Sequence, residues 1–328
     1  MIKSGVLLGA GAGACWGLVF LIPLVLSGFS PLEIASGRFL VYGSVSLLLL
    51  LPFLPRMARG LGIRDIGFLL ALGASGNVLF YVFLASSIQK VGVAPAALVI
   101  GLVPVLVTIL GRNDQGTVPL PQLVLPLAML VVGMVCITVD TLQVAGSTAN
   151  TLLDAILGLL FAAGALVSWS FYAVFNARAL KANTVVSSQQ WAYLTGMASG
   201  FWALVLALVI WGFQSPSTAG STAGGETLDW QMFWLVSLGI GLVGSVLANG
   251  LWNGASRRLP MTLTAQVFAF EPLFALIYGF VFEARLPRPL EMAAVLLLIS
   301  AMLWTVQKHS VAGKRERQQK QALTSPAS

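Results

Sequence analysis

Apolar residues in this chain do not alternate with polar ones. They run in blocks of about twenty with short breaks between, as in "VLLGAGAGACWGLVFLIPLVL" at residues 6–26. A membrane barrel strand would switch character at every residue. A soluble amphipathic helix would show a polar stripe every three or four. A block of this length is what a helix needs to cross about 30 Å of hydrocarbon. Such blocks at 4–26, 34–54, 65–86, 91–111, 119–140, 152–176, 188–212, 230–254, 260–282 and 288–307 predict ten spans and an all-α membrane protein.

Composition supports this. Only 9% of the 328 residues are charged and 58% are hydrophobic, against roughly 25% charged in a soluble domain. The net charge of +7 raises nucleic acid as a partner, but its distribution points to the bilayer. Loops on the amino-terminal side hold Lys3, Arg56, Arg59, Arg64, Arg112, Arg178, Lys181, Arg257, Arg258 and the five basic residues of the tail from Lys308 to Lys320. The opposite side holds Lys90, Arg285 and Arg288, and Arg38 lies within a span. Positive residues stay cytoplasmic. Both termini are therefore expected in the cytoplasm, which an even number of spans allows. No nucleic-acid partner is expected, and a single copy is taken as the working unit. Lys3 and the run after it would also suit a signal peptide, but that run belongs to a repeat.

The repeat shows first in "GACWGLVF" at 13–20 and "GALVSWSFYA" at 164–173, where Gly11 and Gly164 each precede a tryptophan by five. Trp16 and Trp169 are 153 apart. Beyond the Ser/Gly-rich insertion "QSPSTAGSTAGGE" at 214–226 the offset becomes 168. Gly73 and Gly76 then meet Gly241 and Gly244, Pro104 meets Pro272, and Pro119 and Pro121 meet Pro287 and Pro289. Each copy has five spans, so the second enters the membrane upside down. The expected organisation is a first five-helix repeat at 1–140, an external linker at 141–151, a second repeat at 152–307 with a flexible external loop at 213–229, and a basic, disordered tail at 308–328. Inverted repeats of this kind recur in secondary transporters, with the substrate held near the midplane.

At these residues the chain resembles the drug/metabolite transporter superfamily, in its EamA-type branch. The tryptophan-bearing first spans and proline-bearing fourth spans carry the likeness. "SWSFYAVFNARAL" and "LWNGASRRLPMTLTA" make it similar to the YddG-type exporters of aromatic and other amino acids. The resemblance implies a ten-helix, alternating-access exporter of the inner (plasma) membrane.

Candidate residues follow from position. Gly5, Gly9, Gly13 and Gly17 form a ridge where another helix can come close; Gly9, Gly13, Gly17, Pro104 and Pro272 are the hinge or packing candidates. Trp16 shares the Gly9 face. Trp169, Tyr172 and Asn176 form the matching stripe. Both tryptophans face the bundle, either filling its core or lining a cavity. Asn77 and Tyr81 share a face of the third span. Ser245, Asn249 and Asn253 recur every fourth residue beside Trp252 in the eighth, either bonding between helices or lining the cavity. Glu271 is the deepest carboxylate. It could hold a substrate amine, accept a proton, or sit neutral against backbone near Pro272. Arg38 is expected to pair with Glu33 or reach outward, or to hold a substrate carboxylate.

Cys15 and Cys136 fall in apolar stretches, and the single histidine, His309, is in the tail. No metal or cofactor is expected. With one deep carboxylate and no nucleophile–base pair, an enzyme is not expected either. A channel would not need the inverted repeat. Phosphorylated solutes want several cavity cations, which the spans lack. Amino acids suit both the aromatic and the polar candidates; lipophilic cations or other small metabolites come second. With both termini cytoplasmic, a Ser217→Cys variant reacts with an impermeant thiol reagent added to intact spheroplasts and Arg178→Cys does not; the reverse pattern inverts the topology.

Overall fold

The computed structural model describes residues 2–53, 62–111, 120–145, 152–182, 186–213, 228–301, 303, 304 and 307. Arg56, Arg59, Arg112, Pro119, residues 146–151, the loop at 214–227 and the tail from Lys308 lie outside the described residues. Every regular element among the described residues is helical. Among the described residues, eight helices are long and apolar enough to cross a membrane: Lys3–Val25, Pro31–Leu50, Ile63–Val91, Val93–Leu110, Leu152–Ala182, Ser188–Ile210, Trp230–Arg258 and Leu263–Phe282. Two shorter apolar helices, Val124–Asp140 and Pro289–Ala301, stand where the fifth and tenth spans are expected. Leu48, Leu160, Leu208, Leu235 and Leu296 point outward. Such an exterior is solvated by lipid, not water.

Local chemistry sets where helices begin. Ser30 caps the second span: its hydroxyl accepts from the Glu33 amide at 3.2 Å while Glu33 accepts from the Ser30 amide at 2.8 Å, with Pro31 in the first turn. This reciprocal box satisfies two donors that a helix start leaves bare. A single residue, Gly92, joins the third and fourth spans with φ at +85°, a conformation open to glycine and costly to others.

Among the described residues five spans are irregular within, the first through a 3-10 stretch at Leu18–Leu21. Six-residue π-helical turns occupy Ala74–Leu79 and Leu242–Leu247, which start 168 residues apart. The fourth span stops at Ile100 and restarts at Val103, and the ninth stops at Val267 and restarts at Phe270. Pro104 and Pro272 sit in the first turn of each restarted helix. A proline lacks an N–H, and there none is needed.

The first span packs along the eighth and ninth, the second along the seventh, the third along the sixth, and the fourth along the sixth and ninth. These contacts all run between the first half of the chain and the second, so the halves form one bundle. The glycine ridge of the first span receives the ninth. A Cβ on Gly13 would lie 2.8 Å from the Glu271 amide, and one on Gly17 would lie 2.9 Å from the Ala275 amide. Only glycine lets the two backbones meet there.

The lightly charged end of the bundle has an electrostatic order of its own. Lys90 pairs with Asp154 at 2.7 Å, Arg288 with Asp140 at 3.0 Å, and Arg285 with Glu291 through two bonds of 2.7 and 2.9 Å. Each of these three cations thus faces a carboxylate. Donating to Glu291 also holds the Arg285 guanidinium above its ordinary range. Glu291 is fully buried and further accepts the Arg288 amide at 2.7 Å. Glu291→Ala therefore costs about 1–3 kcal/mol, discounted for the partly exposed arginines. Lys90→Ala, in a more exposed pair, costs under about 1 kcal/mol. Thermal unfolding of the detergent-solubilised variants ranks the two; an equal shift contradicts the account.

Candidate functional site

Trp16 and Trp169, from the two repeated motifs, meet at the centre of the bundle. Their ring centroids are 6.0 Å apart and nearly perpendicular. Trp252 lies 5.6 Å from Trp16 and 5.2 Å from Trp169. Phe268 lies 3.6 Å from Trp169 and within 6.0 Å of the other two. Spans one, six, eight and nine thus each give one ring to a buried tetrad. Edge-to-face and tilted contacts of this kind add about 0.5–1.5 kcal/mol per pair beyond burial. Phe268 stands at the break of the ninth helix, as the cap of the half that ends at Val267.

Beside the tetrad is a small, largely enclosed cavity of about 10 Å³, room for about one water. Trp16, Phe39, Phe80 and Trp169 form its aromatic wall, and Arg38, Asn77, Asn249 and Glu271 its polar one. Glu271 stands in the first turn of the restarted ninth helix, where the helix dipole favours negative charge by about 0.3–1 kcal/mol. Its Oε2 is buried without a hydrogen-bond partner.

Arg38 corrects the expectation that it pairs with Glu33 or reaches outward. Residues five apart on a helix point about 140° away from each other, and Glu33 is engaged in the Ser30 cap. Arg38 turns inward and is only 4% exposed. It donates from Nε to Ser245 Oγ at 3.0 Å and from Nη2 to the Gly244 carbonyl at 2.8 Å. Both acceptors belong to the second π turn. Its guanidinium carbon lies 4.5 Å from the Tyr81 ring centroid and 4.8 Å from that of Phe39. Nη1 makes no hydrogen bond of normal geometry, nor does the buried Tyr81 hydroxyl, although Arg38 and Tyr81 attract each other.

The other candidates divide into two groups. Asn77 and Asn249 line the cavity; Asn77 donates to Ser199 Oγ at 2.8 Å, and Asn249 to the Ser245 carbonyl at 3.0 Å. Tyr172 donates to Asn249 at 3.4 Å. Asn176 and Asn253 instead form a clasp of their own: Asn176 donates to Asn253 at 3.0 Å and accepts from Trp191 Nε1 at 2.7 Å. Phe39, Phe80 and Phe268 join the site without having been chosen from the sequence, and Arg38 joins it from a reading that had favoured a structural role. The one signal for Arg38 was that no other basic residue lies inside a span.

A wider recess of about 460 Å³ opens between Leu40, Leu204, Leu208, Phe233 and Trp234. Its wall is almost all carbon, and Glu33, the charged residue lining it, is tied to the helix cap. It offers little to orient a polar solute, so the site is assigned to the smaller cavity. Among the described residues no group of three or more His, Cys, Asp or Glu could hold a metal ion.

A membrane-crossing helical bundle, closed around a cavity with aromatic walls and charge of both signs, has the form of a transporter. The chain belongs to the EamA-like transporter family, which it matches over residues 3–139 and 156–307. It is 27% identical over 311 residues to the inner membrane protein YtfF of Escherichia coli (strain K12), covering 93% of this chain and 95% of that one. A crystal structure at 20% identity superposes with a TM-score of 0.64 over 93% of this chain and 99% of its own, a likeness of fold. Asn176→Ala leaves the buried Trp191 N–H and Asn253 amide without their partner and costs about 1–3 kcal/mol, read as a lower unfolding midpoint; Asn176→Asp, which keeps an acceptor for Trp191, recovers part of it.

Proposed function

We propose that the chain is a secondary carrier exporting amino acids, aromatic ones included, by alternating access between two inverted five-span halves. The observation that carries this reading is the tetrad of Trp16, Trp169, Trp252 and Phe268 against a polar cavity that is almost closed. Aromatic faces receive apolar and aromatic side chains, while Arg38, Asn77, Asn249 and Glu271 give a polar solute groups to bond. A cavity of about 10 Å³ suits a carrier passing through an occluded state better than an open pore.

Inverted halves are supported by landmarks in common register: the π turns, the broken helices and their prolines. The family match also falls in two stretches, one in each half. The likeness to an inner membrane protein supports placement in the cell inner membrane. Cytoplasmic termini rest on the charge asymmetry. A lipophilic cation is the second reading, favoured by the tryptophan faces and the Glu271 carboxylate.

Proteoliposomes loaded with single amino acids or lipophilic cations test this directly. Saturable amino-acid efflux is expected. Trp16→Ala and Trp169→Ala are expected to reduce it about tenfold or more, a larger loss than that in folded protein. Full flux in both variants would return the tetrad to a packing role, and flux of cations alone would select the second reading.

A further inference from the structure

Arg38 and Glu271 sit in the same small cavity, and each keeps one buried polar atom unpartnered, Nη1 of the arginine and Oε2 of the glutamate. They come from different halves of the chain, on the second and ninth spans. Each is fixed from behind. The second π turn holds Arg38 by two bonds, through the Ser245 hydroxyl and the Gly244 carbonyl. The glycine ridge of the first span seats the backbone of Glu271. Arginine cannot shed its charge in a protein, and the acceptors it has found are neutral. Glu271 is the one carboxylate lining the cavity.

We propose that Arg38 and Glu271 are the two poles of a zwitterion subsite, the guanidinium receiving the substrate's α-carboxylate and the carboxylate its α-ammonium. This rests on the carrier reading above and names its substrate class. A simple cation would satisfy Glu271 but bring a second positive charge beside Arg38. A simple anion would satisfy Arg38 but lie against Glu271. A zwitterion leaves neither pole unpaired, and a site built for polar partners rejects analogues that lack them more sharply than an apolar pocket can. Trp16, Phe80 and Trp169 then face the substrate side chain. The cavity as closed is too small for an amino acid, so the poles meet their ligand after the rings part.

The test compares three compounds differing only in charge: tryptophan, tryptamine without the carboxylate, and indole-3-propionate without the ammonium. Leucine, 3-methylbutylamine and 4-methylpentanoate form the matching aliphatic set. Binding is read as thermal stabilisation of the detergent-solubilised full-length protein, and by competition with amino-acid efflux from proteoliposomes. In a set whose amino acid binds, the zwitterion should act at a concentration at least about tenfold lower than either analogue. Arg38→Gln should abolish its advantage over the amine, and Glu271→Gln its advantage over the acid. The parent comparison needs no variant to fold. An analogue as effective as its amino acid overturns the subsite and leaves the carrier reading standing. Variants that weaken all three compounds equally also overturn it. Flux of lipophilic cations with no binding of either amino acid overturns both.

Discussion

Hydrocarbon gives apolar helices little reason to prefer each other over lipid, so a bundle of this kind is held by close backbone approach and by internal polar partners. The glycine ridge of the first span is where that constraint acts most directly. It lets the first helix touch the backbone of the ninth at Glu271 and Ala275. The contact fixes how far the ninth helix stands from the bundle axis. It therefore fixes where Glu271 and Phe268 point, and which rings can meet Trp16. A larger side chain at Gly13 would move all three.

Charge in the bundle follows the same logic with two different outcomes. At one end Lys90, Arg285 and Arg288 all find carboxylates, and the pairs tie spans together. At the centre Arg38 and Glu271 share a cavity but keep an unpartnered atom each. The first arrangement is complete without a ligand. The second leaves polar atoms bare.

Length and periodicity made much of this visible in the sequence. Long uncharged blocks define membrane-crossing helices, and Pro104 and Pro272 mark the restarts because proline tolerates few other places in a helix. The tryptophans stood out as bulky residues repeated in small-residue surroundings. Arg38 was misread because its partners, Gly244 and Ser245, are more than two hundred positions away, while Glu33 was near and oppositely charged. The π turns left no sequence signature beyond paired glycines: an extra residue per turn changes which backbone groups pair, not which side chains appear. The Asn176–Asn253–Trp191 clasp was hidden likewise, since spacing within a helix reveals a polar stripe but not which helix faces it.

The ring tetrad also bears on the energetics of the membrane itself. A cell that stores energy as an ion gradient cannot tolerate a continuous file of water through one of its proteins, because protons pass along such a file without any carrier. Closed around a space of about one water molecule, four interlocked rings interrupt that file at the bundle centre.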